Sequence, residues 1–358
     1  MKTESNNPIG LYIHWPYCLS KCPYCAFAST VPNKVDEDML LKGYFRDLNR
    51  FLSNRPLSTI FFGGGTPSMM TPSCLEKILN HIREKTTILS DSEITIEANP
   101  DAIDLNKMKA FQSLGVNRLS MGVQSLKDSD LAFLGRRHNA QMALKRIEEA
   151  RTLFENINID LIYARPEQTL YDWEDELHMA LSLELPHYSL YQLSIEKHTP
   201  FSARGIQPAP ENIAVDLYRL TDRIVGSKGY VGYEVSNYAK PGFECRHNLG
   251  YWRGLDYIGI GPAAHGRIGL TATQNPRSVS EWLQNGTLTE TLTKKEKKTE
   301  HLLMGLRLRQ EWYPTKGLNM KKVEKLINRN LLEQGSEGIR PTLNGTMILD
   351  QIILELMD

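Results

Sequence analysis

The spacing of apolar and polar residues divides the first two-thirds of the chain into short and long segments. Short runs rich in β-branched and aromatic residues alternate with longer stretches whose apolar residues recur every three or four positions. The short runs predict strands near Gly10–His14, Thr59–Phe62, Glu93–Ala98, Arg118–Gly122, Asn158–Ile162 and Tyr188–Leu193. The longer stretches predict helices around Glu37–Leu52, Ser73–Lys85, Asp104–Ser113, Ala140–Phe154, Leu170–Leu183 and Asn212–Lys228.

This alternation predicts an α/β fold, a partial (β/α)6 TIM-like barrel, because right-handed crossovers roll such a sheet into a barrel. Polar motifs follow the predicted strands: three cysteines after the first, "GGGTP" after the second, "EANP" after the third and "MGVQ" after the fourth. Active sites of such barrels lie at the carboxyl ends of the strands. We therefore expect these motifs to meet at one rim.

The alternation stops near Tyr238, where Gly- and aromatic-rich sequence predicts functional loops with little regular structure. From about Thr293 the pattern predicts two helices, a hairpin turning at Asn344-Gly345 and a final apolar helix. We predict a barrel domain over 1–238, a connecting region with an HNxxYW loop over 239–290 and a small winged-helix-like domain over 291–358. An accessory packing domain that touches no DNA is the alternative for the last.

Composition and charge exclude several classes of function. Lysine plus arginine equal aspartate plus glutamate at 42 each, so no excess charge attracts nucleic acid or an anionic membrane, and no nucleic-acid partner is expected. The N-terminal sequence lacks the features of a secretory signal, and no apolar run approaches the roughly 20 residues of a membrane span. We expect a cytoplasmic protein whose five cysteines serve metal or redox chemistry rather than disulfides.

Three of these cysteines form a C-x3-C-x2-C motif, "CLSKCPYC", after the first predicted strand. The spacing allows Cys18, Cys22 and Cys25 to converge on one centre. Structural zinc sites need four ligands, and no second Cys or His pair follows at a suitable distance. A 4Fe-4S cluster held by three cysteines leaves one iron open to a cofactor or substrate. A zinc site completed by a distant histidine, or a loop of unrelated thiols, are the alternatives.

This motif, with Tyr24 before its last cysteine, resembles the signature of radical S-adenosylmethionine (SAM) enzymes. The resemblance implies that the three cysteines hold a 4Fe-4S cluster, that SAM chelates the open iron, and that one electron from the cluster cleaves SAM. It also implies SAM contacts at Tyr12, Tyr24, Gly64, Gly65, Thr66, Glu97, Gln124, Arg136 and Asp160. As a set they suit SAM, because an arginine pairs with its carboxylate and acidic groups with its ammonium. Taken alone, the glycine-rich segment is equally compatible with an ordinary turn, and each of Glu97, Gln124, Arg136 and Asp160 is more often an ordinary polar residue of the rim.

Within that superfamily, "GLYIHWPYC", "FFGGGTPS", "NRLSMGVQS", "GRRHN", "YQLSIEKHTPF" and "GYEVSNYA" resemble the branch of oxygen-independent coproporphyrinogen III oxidases and HemW-type heme chaperones. Phe27 stands where the oxidases typically have a further cysteine. Only 17 residues precede Cys18, whereas the oxidases carry a longer N-terminal segment. Both features favour the chaperones.

The segment "CRHNLGYW" matches the HNxxYW motif of the chaperones, which is associated with heme binding. The resemblance implies heme contacts at His247, Asn248, Tyr251 and Trp252. The imidazole can bind heme iron, the two aromatic rings can cover the porphyrin and the amide can orient the imidazole. The alternative is a structural loop whose aromatic residues pack between domains. We expect Cys245 and Cys74 to be buried structural thiols; a covalent attachment point or an auxiliary ligand is the alternative for Cys245.

Two segments depart from the pattern of the relatives. Where relatives commonly read "DLIYGLPGQT", this chain has "DLIYARPEQT", which places Ala164, Arg165 and Glu167 beside the expected SAM pocket. The two new charges either pair with each other or alter access to the pocket. In "GPAAHG", Pro262 removes a backbone donor.

The favoured hypothesis is a heme chaperone that binds a 4Fe-4S cluster, SAM and heme and transfers heme to an acceptor protein. A reductant protein such as flavodoxin or ferredoxin would supply electrons if SAM cleavage accompanies transfer. The alternative is an oxygen-independent coproporphyrinogen III oxidase, which needs basic residues for several carboxylates; Arg136, Arg137 and Arg165 are candidates. A nucleic-acid-binding regulator is the weakest hypothesis because the charges balance.

Overall fold

The structure is a computed structural model that describes residues 7–357. The strands are β1 (Ile9–Trp15), β2 (Leu57–Gly64), β3 (Ile88–Ala98), β4 (Arg118–Gln124), β5 (Asn156–Tyr163), β6 (His187–Gln192), β7 (Val231–Gly232), β8 (Asn237–Ala239), β9 (Tyr257–Ile260), β10 (His265–Ile268), β11 (Thr271–Gln274), β12 (Leu288–Thr291), β13 (Leu332–Gln334) and β14 (Ile339–Pro341). The α-helices are α1 (Glu37–Phe51), α2 (Pro72–Lys85), α3 (Leu105–Ser113), α4 (Asp128–Phe133), α5 (Ala140–Arg151), α6 (Leu170–Leu181), α7 (Pro200–Ala203), α8 (Glu211–Ser227), α9 (Arg246–Trp252), α10 (Val279–Asn285), α11 (Lys294–Gly305), α12 (Met320–Asn328), α13 (Leu343–Met347) and α14 (Leu349–Met357).

The chain forms two compact units, each built from several segments. The first comprises the chain up to Leu161 together with Ser194–Gln207 and Leu255–Thr291. The second comprises Ile162–Leu193, Pro208–Gly254 and the chain from Leu292 onward. The predicted domains are continuous segments, and their boundaries stay predictions. Within residues 7–357, none of the helices combines the length and the apolar character that a membrane crossing requires.

A mostly parallel sheet organises the first unit. Its parallel strands follow the order β9-β1-β2-β3-β4-β5, and β10, β11 and β12 continue antiparallel beyond β9. The register places Tyr12 opposite Phe61, and Ser120 between Glu97 and Asn158. The α/β prediction is confirmed, and β1 to β5 lie at five of the predicted strand positions. The sixth predicted strand is β6, in the second unit.

Side-chain caps begin the helices that cover this sheet. Asp36, Thr71, Asp104 and Asn139 each accept a hydrogen bond from a backbone N–H in the first turn of α1, α2, α3 and α5. Each of these four helices begins within two residues of its predicted start. Strands covered on both faces bury almost every side chain: Leu11, Ile13, Trp15, Ile60 and Phe62 have no exposed surface.

The second unit combines a small antiparallel sheet with helices. β8 pairs with both β6 and β7, and His187 lies opposite Ala239. Trp173 on α6 donates from Nε1 to Thr221 Oγ1 on α8 at 2.7 Å and stacks on Tyr163. The C-terminal part packs α11, α12, the β13–β14 hairpin and α14 around one apolar cluster that includes Leu306, Leu326, Ile339 and Ile352. Its winged-helix-like character stays a prediction.

The predicted hairpin at Asn344-Gly345 is wrong. Thr342 Oγ1 accepts a hydrogen bond from Gly345 N at 3.0 Å and caps α13, so this dipeptide is helical. The hairpin instead joins β13 to β14 through a turn in which Gly335 N donates to Gly338 O at 2.9 Å. The Asn-Gly signal failed because a threonine two residues earlier offers a helix cap, and a cap competes with a turn.

The prediction of a loop over the HNxxYW motif is also wrong, because "RHNLGYW" forms α9. Asn248 and Gly250 are poor helix formers, so a seven-residue helix containing both leaves little trace in the sequence. The expectation of little regular structure also missed β9, which runs parallel to β1 with Gly10 opposite Tyr257. A side chain at Gly259 would strike the backbone of His265 on β10, which explains glycine in this strand.

Candidate functional site

The cysteine motif lies on the segment between β1 and α1. Cys18 is buried, and Cys22 and Cys25 are partly exposed. The segment is fixed by Cys18 N, which donates to Thr30 O at 3.0 Å, and by Cys25 N, which donates to Cys22 O at 3.1 Å. Burial raises the pKa of Cys25 above its ordinary value, and Cys22 and Cys18 add to the rise. Cys18 and Cys22 therefore lie close enough to Cys25 to influence the ionisation of its thiol.

All five cysteines are free thiols. Within residues 7–357 no group of three or more His, Cys, Asp or Glu side chains is arranged to hold a metal ion. A 4Fe-4S cluster makes a different demand, since each thiolate binds a different iron and the sulfur atoms are spread around the cluster. Three reduced thiols on one fixed segment, with the Arg136 guanidinium 3.2 Å from Cys22 Sγ, fit that donor set.

His14 ties the cysteine segment to β1. Its Nε2 lies 2.9 Å from Ala28 O, and its Nδ1 lies 3.0 Å from Tyr12 Oη. A carbonyl oxygen only accepts, so Nε2 carries the proton and Nδ1 accepts from the tyrosine. Burial lowers the pKa of His14, which keeps the ring neutral as this arrangement requires. Sequence reasoning missed His14; its signal was its position two residues after Tyr12 on the same face of a strand.

The "GGGTP" segment packs directly on the cysteine segment. Gly65 N donates to Trp15 O at 2.7 Å, and Thr66 N donates to Tyr17 O at 2.8 Å. A Cβ at Gly65 would lie 2.5 Å from Tyr17 O. Gly64 has φ +111°, and its N–H donates to Glu97 Oε2 at 3.0 Å. Because these amides are engaged, a cationic ligand group would meet carbonyl oxygens here, which suit an ammonium.

The carboxyl groups of Glu97 on β3 and Asp160 on β5 lie close enough to interact electrostatically. Burial raises the pKa of Glu97 to about 8, with a further rise from the charge of Asp160. Asp160 Oδ1 accepts from Asn158 Nδ2 at 2.7 Å. At neutral pH Glu97 is therefore mostly protonated, and a cationic ligand placed between the two carboxyl groups would favour its ionisation.

Arg136 joins the strand ends to the cysteine segment. Its Nη2 donates to Asn99 Oδ1 at 2.5 Å and to Gly122 O at 2.8 Å, while Nη1 reaches Cys22 Sγ. Its Nε is buried and has no hydrogen-bond partner in the described structure. A buried donor without an acceptor is costly, so this N–H marks a place where a ligand oxygen would be favoured. The guanidinium thus fits the SAM carboxylate expected there.

Asn99 is a second residue that sequence reasoning missed. Its Nδ2 donates to Thr66 Oγ1 at 3.0 Å, so it links the glycine segment to Arg136. Gln124 adopts φ +72°, a conformation rare for residues with a side chain, and a Cβ at Gly122 would lie 2.9 Å from both Gln124 Nε2 and Asn99 Oδ1. The signal for Asn99 was its position two residues after Glu97 in "EANP".

Tyr24 completes this group. It hydrogen-bonds Cys22, and burial raises its pKa. Its ring lies 6.3 Å from that of Phe201, whose backbone N donates to Pro23 O at 2.9 Å. The first unit therefore brings together the predicted cluster and SAM residues: Tyr12, Cys18, Cys22, Tyr24, Cys25, Gly64, Gly65, Thr66, Glu97, Gln124, Arg136 and Asp160.

The predicted heme residues lie on α9 in the second unit. His247 is only 3% exposed, whereas Asn248, Tyr251 and Trp252 are partly exposed. His247 Nε2 lies 2.7 Å from Tyr251 Oη, and the two rings meet edge to face with centroids 4.7 Å apart. One helical turn separates the two residues, which is why their side chains meet.

Trp252 packs beside a small apolar cluster of Tyr233, Ala239, Leu249 and Leu308. The Arg307 guanidinium lies 5.7 Å from its ring centroid, and Trp252 Nε1 is buried with no hydrogen-bond partner in residues 7–357. Packing of this tryptophan is the structural role weighed against heme binding. Cys245 and Cys74 are buried, as expected, and burial raises the pKa of Cys74 to about 12.

The "ARPE" segment also lies in the second unit. Arg165 is buried and pairs with Glu176 of α6 at 2.7 Å, while Glu167 is exposed. Of the two alternatives for these charges, the pairing of Arg165 with Glu167 is therefore wrong, and altered access to the pocket stays a prediction. Ala164 and Glu167 have φ +56° and +59°, the left-handed conformation that glycine adopts more readily.

Comparison with known proteins gives the family. The model of the radical SAM superfamily matches residues 12–180. The chain is 38% identical to the heme chaperone HemW of Escherichia coli over 283 residues, 75% of each chain. It is 32% identical to HemW of Buchnera aphidicola subsp. Schizaphis graminum over 98% of this chain and 99% of that one. This chain belongs to the HemW family.

Membership of the HemW family confirms the resemblance found in the motifs. The family's radical SAM domain implies a 4Fe-4S cluster and SAM. Coproporphyrinogen III oxidase (HemN) from Escherichia coli shares the fold with a TM-score of 0.84 over 99% of this chain and 91% of that one. At 22% identity this likeness concerns the fold alone.

Proposed function

We propose that this protein binds heme at α9 and transfers it to an acceptor protein, while its first unit holds a 4Fe-4S cluster and SAM. The observation that carries the proposal is the His247–Tyr251 pair, with Trp252 beside it, in a chain 38% identical to a protein named a heme chaperone. Five free thiols suit the reducing cytoplasm. A one-electron donor such as flavodoxin or ferredoxin would reduce the cluster.

The surroundings of α9 suit heme. Heme combines a flat apolar ring with two carboxylates, and Tyr251 and Trp252 offer partly exposed aromatic surface for the ring. Three arginines flank these residues: Arg246 is exposed, Arg253 contacts Glu311 at 2.6 Å and Arg307 lies over Trp252. Guanidinium groups bind carboxylates well, so they are candidates for the heme propionates.

In the first unit, Cys18, Cys22 and Cys25 would hold the cluster, which when reduced supplies one electron to SAM. Arg136 would bind the SAM carboxylate through its buried Nε–H, and Glu97 and Asp160 would face its cationic and hydroxyl groups. Tyr12, Tyr24 and Gln124 would line the same pocket. His14 and Asn99 would act as positioning residues, since each bonds two parts of the site to each other.

The biosynthetic oxidase is the competing function. Phe27 is 66% exposed at the position where oxidases carry a further cysteine, so this chain offers no thiol there. Of the basic residues that could serve its substrate, Arg165 is buried in an ion pair. These observations favour the chaperone.

The test is a hemin titration of the anaerobically reconstituted protein, followed by addition of SAM and coproporphyrinogen III to the same sample. We expect hemin uptake near one equivalent and no porphyrin product. Turnover to a divinyl product with release of deoxyadenosine would establish the oxidase instead. A sample that neither takes up hemin nor turns over would refute the chaperone.

A further inference from the structure

The residues of the HNLGYW helix differ in access. His247 lies almost wholly inside the second unit at 3% exposure, and its Nε2 lies 2.7 Å from Tyr251 Oη. Tyr251, one turn later, is partly exposed. For His247 to bind a heme iron arriving from solvent, the imidazole would have to leave its burial and exchange the tyrosine for the metal. The Tyr251 side chain, in contrast, is already partly exposed and keeps its contact with His247 when it binds the iron.

We propose that Tyr251, and not His247, supplies the iron ligand, with His247 acting as the base that receives the phenol proton. The inference rests on the proposed function, since it concerns how heme is held. Tyrosinate is an established axial ligand for heme iron. A phenolate oxygen can bind iron and accept a hydrogen bond from an imidazolium at once, because it has more than one lone pair.

The step balances without an oxidant or reductant. Ferric heme approaches α9, the Tyr251 O–H bond breaks and its proton passes across the 2.7 Å contact to His247 Nε2. The oxygen's electron pair forms the bond to Fe(III), and the iron keeps its oxidation state. The His247 imidazolium would then stabilise the iron-bound Tyr251 phenolate by a charge-assisted hydrogen bond.

The same unit contains a matched pair that lacks access. Tyr233 Oη lies 2.9 Å from His187 Nε2, but Tyr233 is 3% exposed and His187 has no exposed surface. We therefore expect this buried pair to bind no heme iron, although it has the same hydrogen bond. The difference in exposure between Tyr251 and Tyr233 provides an internal control for the proposal.

The experiment uses hemin as the probe and the full chain in wild-type, Tyr251→Phe, His247→Gln and Tyr233→Phe forms. Resonance Raman spectra of samples with ordinary and ring-deuterated tyrosine report whether a phenolate binds the iron. We expect the wild type to show deuterium-sensitive phenolate bands. Tyr251→Phe should lose them and bind hemin on the order of tenfold more weakly, about 1.4 kcal/mol.

The His247→Gln variant distinguishes two roles of His247, as the base that receives the phenol proton or as the iron ligand. Glutamine can still hydrogen-bond the tyrosine but cannot take its proton, so the phenolate bands should remain and require a pH higher by about one unit or more. Tyr233→Phe should keep the wild-type spectrum. Circular dichroism of each variant checks folding, so that a lost signal is assigned to the ligand only in a folded protein.

Other results overturn the inference in distinguishable ways. If Tyr251→Phe keeps the wild-type iron spectrum while His247→Gln loses it, His247 is the ligand and the chaperone proposal survives. If Tyr233→Phe alone removes the bands, the buried tyrosine is the ligand and the access argument is wrong. If the folded wild type takes up no hemin, the proposed function fails together with the inference.

Discussion

The two candidate sites are built in opposite ways. In the first unit, hydrogen bonds connect segments that are distant in the sequence: Arg136 contacts Cys22, Asn99 and Gly122, and His14 links β1 to Ala28 in the cysteine segment. In the second unit, the predicted heme residues occupy one short helix and depend on a single buried histidine and the packing behind it. A site spread over several strands is rigid because each element constrains the others. A site on one seven-residue helix is easier to rearrange.

This contrast suggests that the first unit serves as a preformed cofactor site and that α9 serves as a heme site that can rearrange. A small charged cofactor that must meet a cluster in a fixed orientation needs a preformed site. A carrier that takes up heme and releases it benefits from a partly exposed helix. If the contrast is correct, changes in the first unit should alter SAM binding and stability while leaving hemin binding unchanged.

The largest effect on ligand binding is expected from removing the Arg136 guanidinium. We expect Arg136→Met to weaken SAM binding about 10- to 100-fold, because a hydrogen bond to a charged group contributes about 1.5–3 kcal/mol. Calorimetric titration of the reconstituted protein with SAM measures it. Arg137→Met is the matched control, since that side chain is 54% exposed and should change SAM affinity little. Equal losses in both variants would contradict the role given to Arg136.

Gly64→Ala tests how tightly the glycine segment is held. Gly64 has φ +111°, and a Cβ there would lie 2.6 Å from the His14 ring, so we expect a loss of about 2–3 kcal/mol in the free energy of unfolding. Gly205→Ala is the control, because Gly205 has φ +67° with open space around it and should lose only about 1 kcal/mol. Urea unfolding compares the two. A similar loss in both would mean that the clash relaxes.

Glu97→Gln should raise the free energy of unfolding at pH 8 and weaken SAM binding. With a folded pKa of about 8 against 4.5, native Glu97 retains its proton where the unfolded chain releases it, so the stability of the wild type falls as pH rises from 4.5 to 8. We expect the stability of the variant not to show this fall between pH 4.5 and pH 8. The variant should be more stable than the wild type at pH 8 by about 1 kcal/mol or more, and it should bind SAM more weakly.

Urea unfolding from pH 5 to pH 8 measures the slope. Glu148→Gln, at a side chain 63% exposed, should follow the wild type. A Glu97→Gln variant that is less stable than the wild type at pH 8 would show that the carboxyl group is ionised and bound in the native state.

The smallest effect concerns the "ARPE" segment in the second unit. Ala164→Gly and Glu167→Gly should each stabilise the protein by about 0.5–1 kcal/mol. Glycine removes the strain energy of the left-handed conformation, and this gain exceeds the free-energy cost of the greater conformational entropy of the unfolded chain. Glu148→Gly, in the middle of α5, should destabilise by about 1 kcal/mol. Thermal unfolding compares the three. Destabilisation at both positions 164 and 167 would mean that their side chains contribute more than the strain costs.

The two regions also differ in how far the sequence predicts them. β1 to β5 and the cysteine, "GGGTP", "EANP" and "MGVQ" motifs were predictable, because strand periodicity is local and parallel strands bring their carboxyl ends to one edge. The bonds made by His14 and Asn99 were not predictable, since each depends on the register between strands or on a turn far away in the sequence. Helix α9 was missed because its residues have low helix propensity and its stability comes from packing.

The sequence also could not predict which side chains pair with each other and which of them are exposed. The sequence shows that Arg165 and Glu167 carry opposite charges five and three positions before a helix, but it does not show that Glu176 on that helix is the buried partner of Arg165. The spacing of His247 and Tyr251 is compatible with a contact on a helix, yet only the structure shows which of them is exposed.

The most direct test of the account is a hemin titration of Cys22→Ser beside the wild type, with both proteins prepared anaerobically with iron and sulfide. The account predicts that Cys22→Ser loses the iron–sulfur absorbance and still binds hemin with wild-type affinity and stoichiometry, because α9 lies in a different unit from the cysteine segment. A folded Cys22→Ser protein that no longer binds hemin would contradict the claim that heme is held at α9 independently of the cluster.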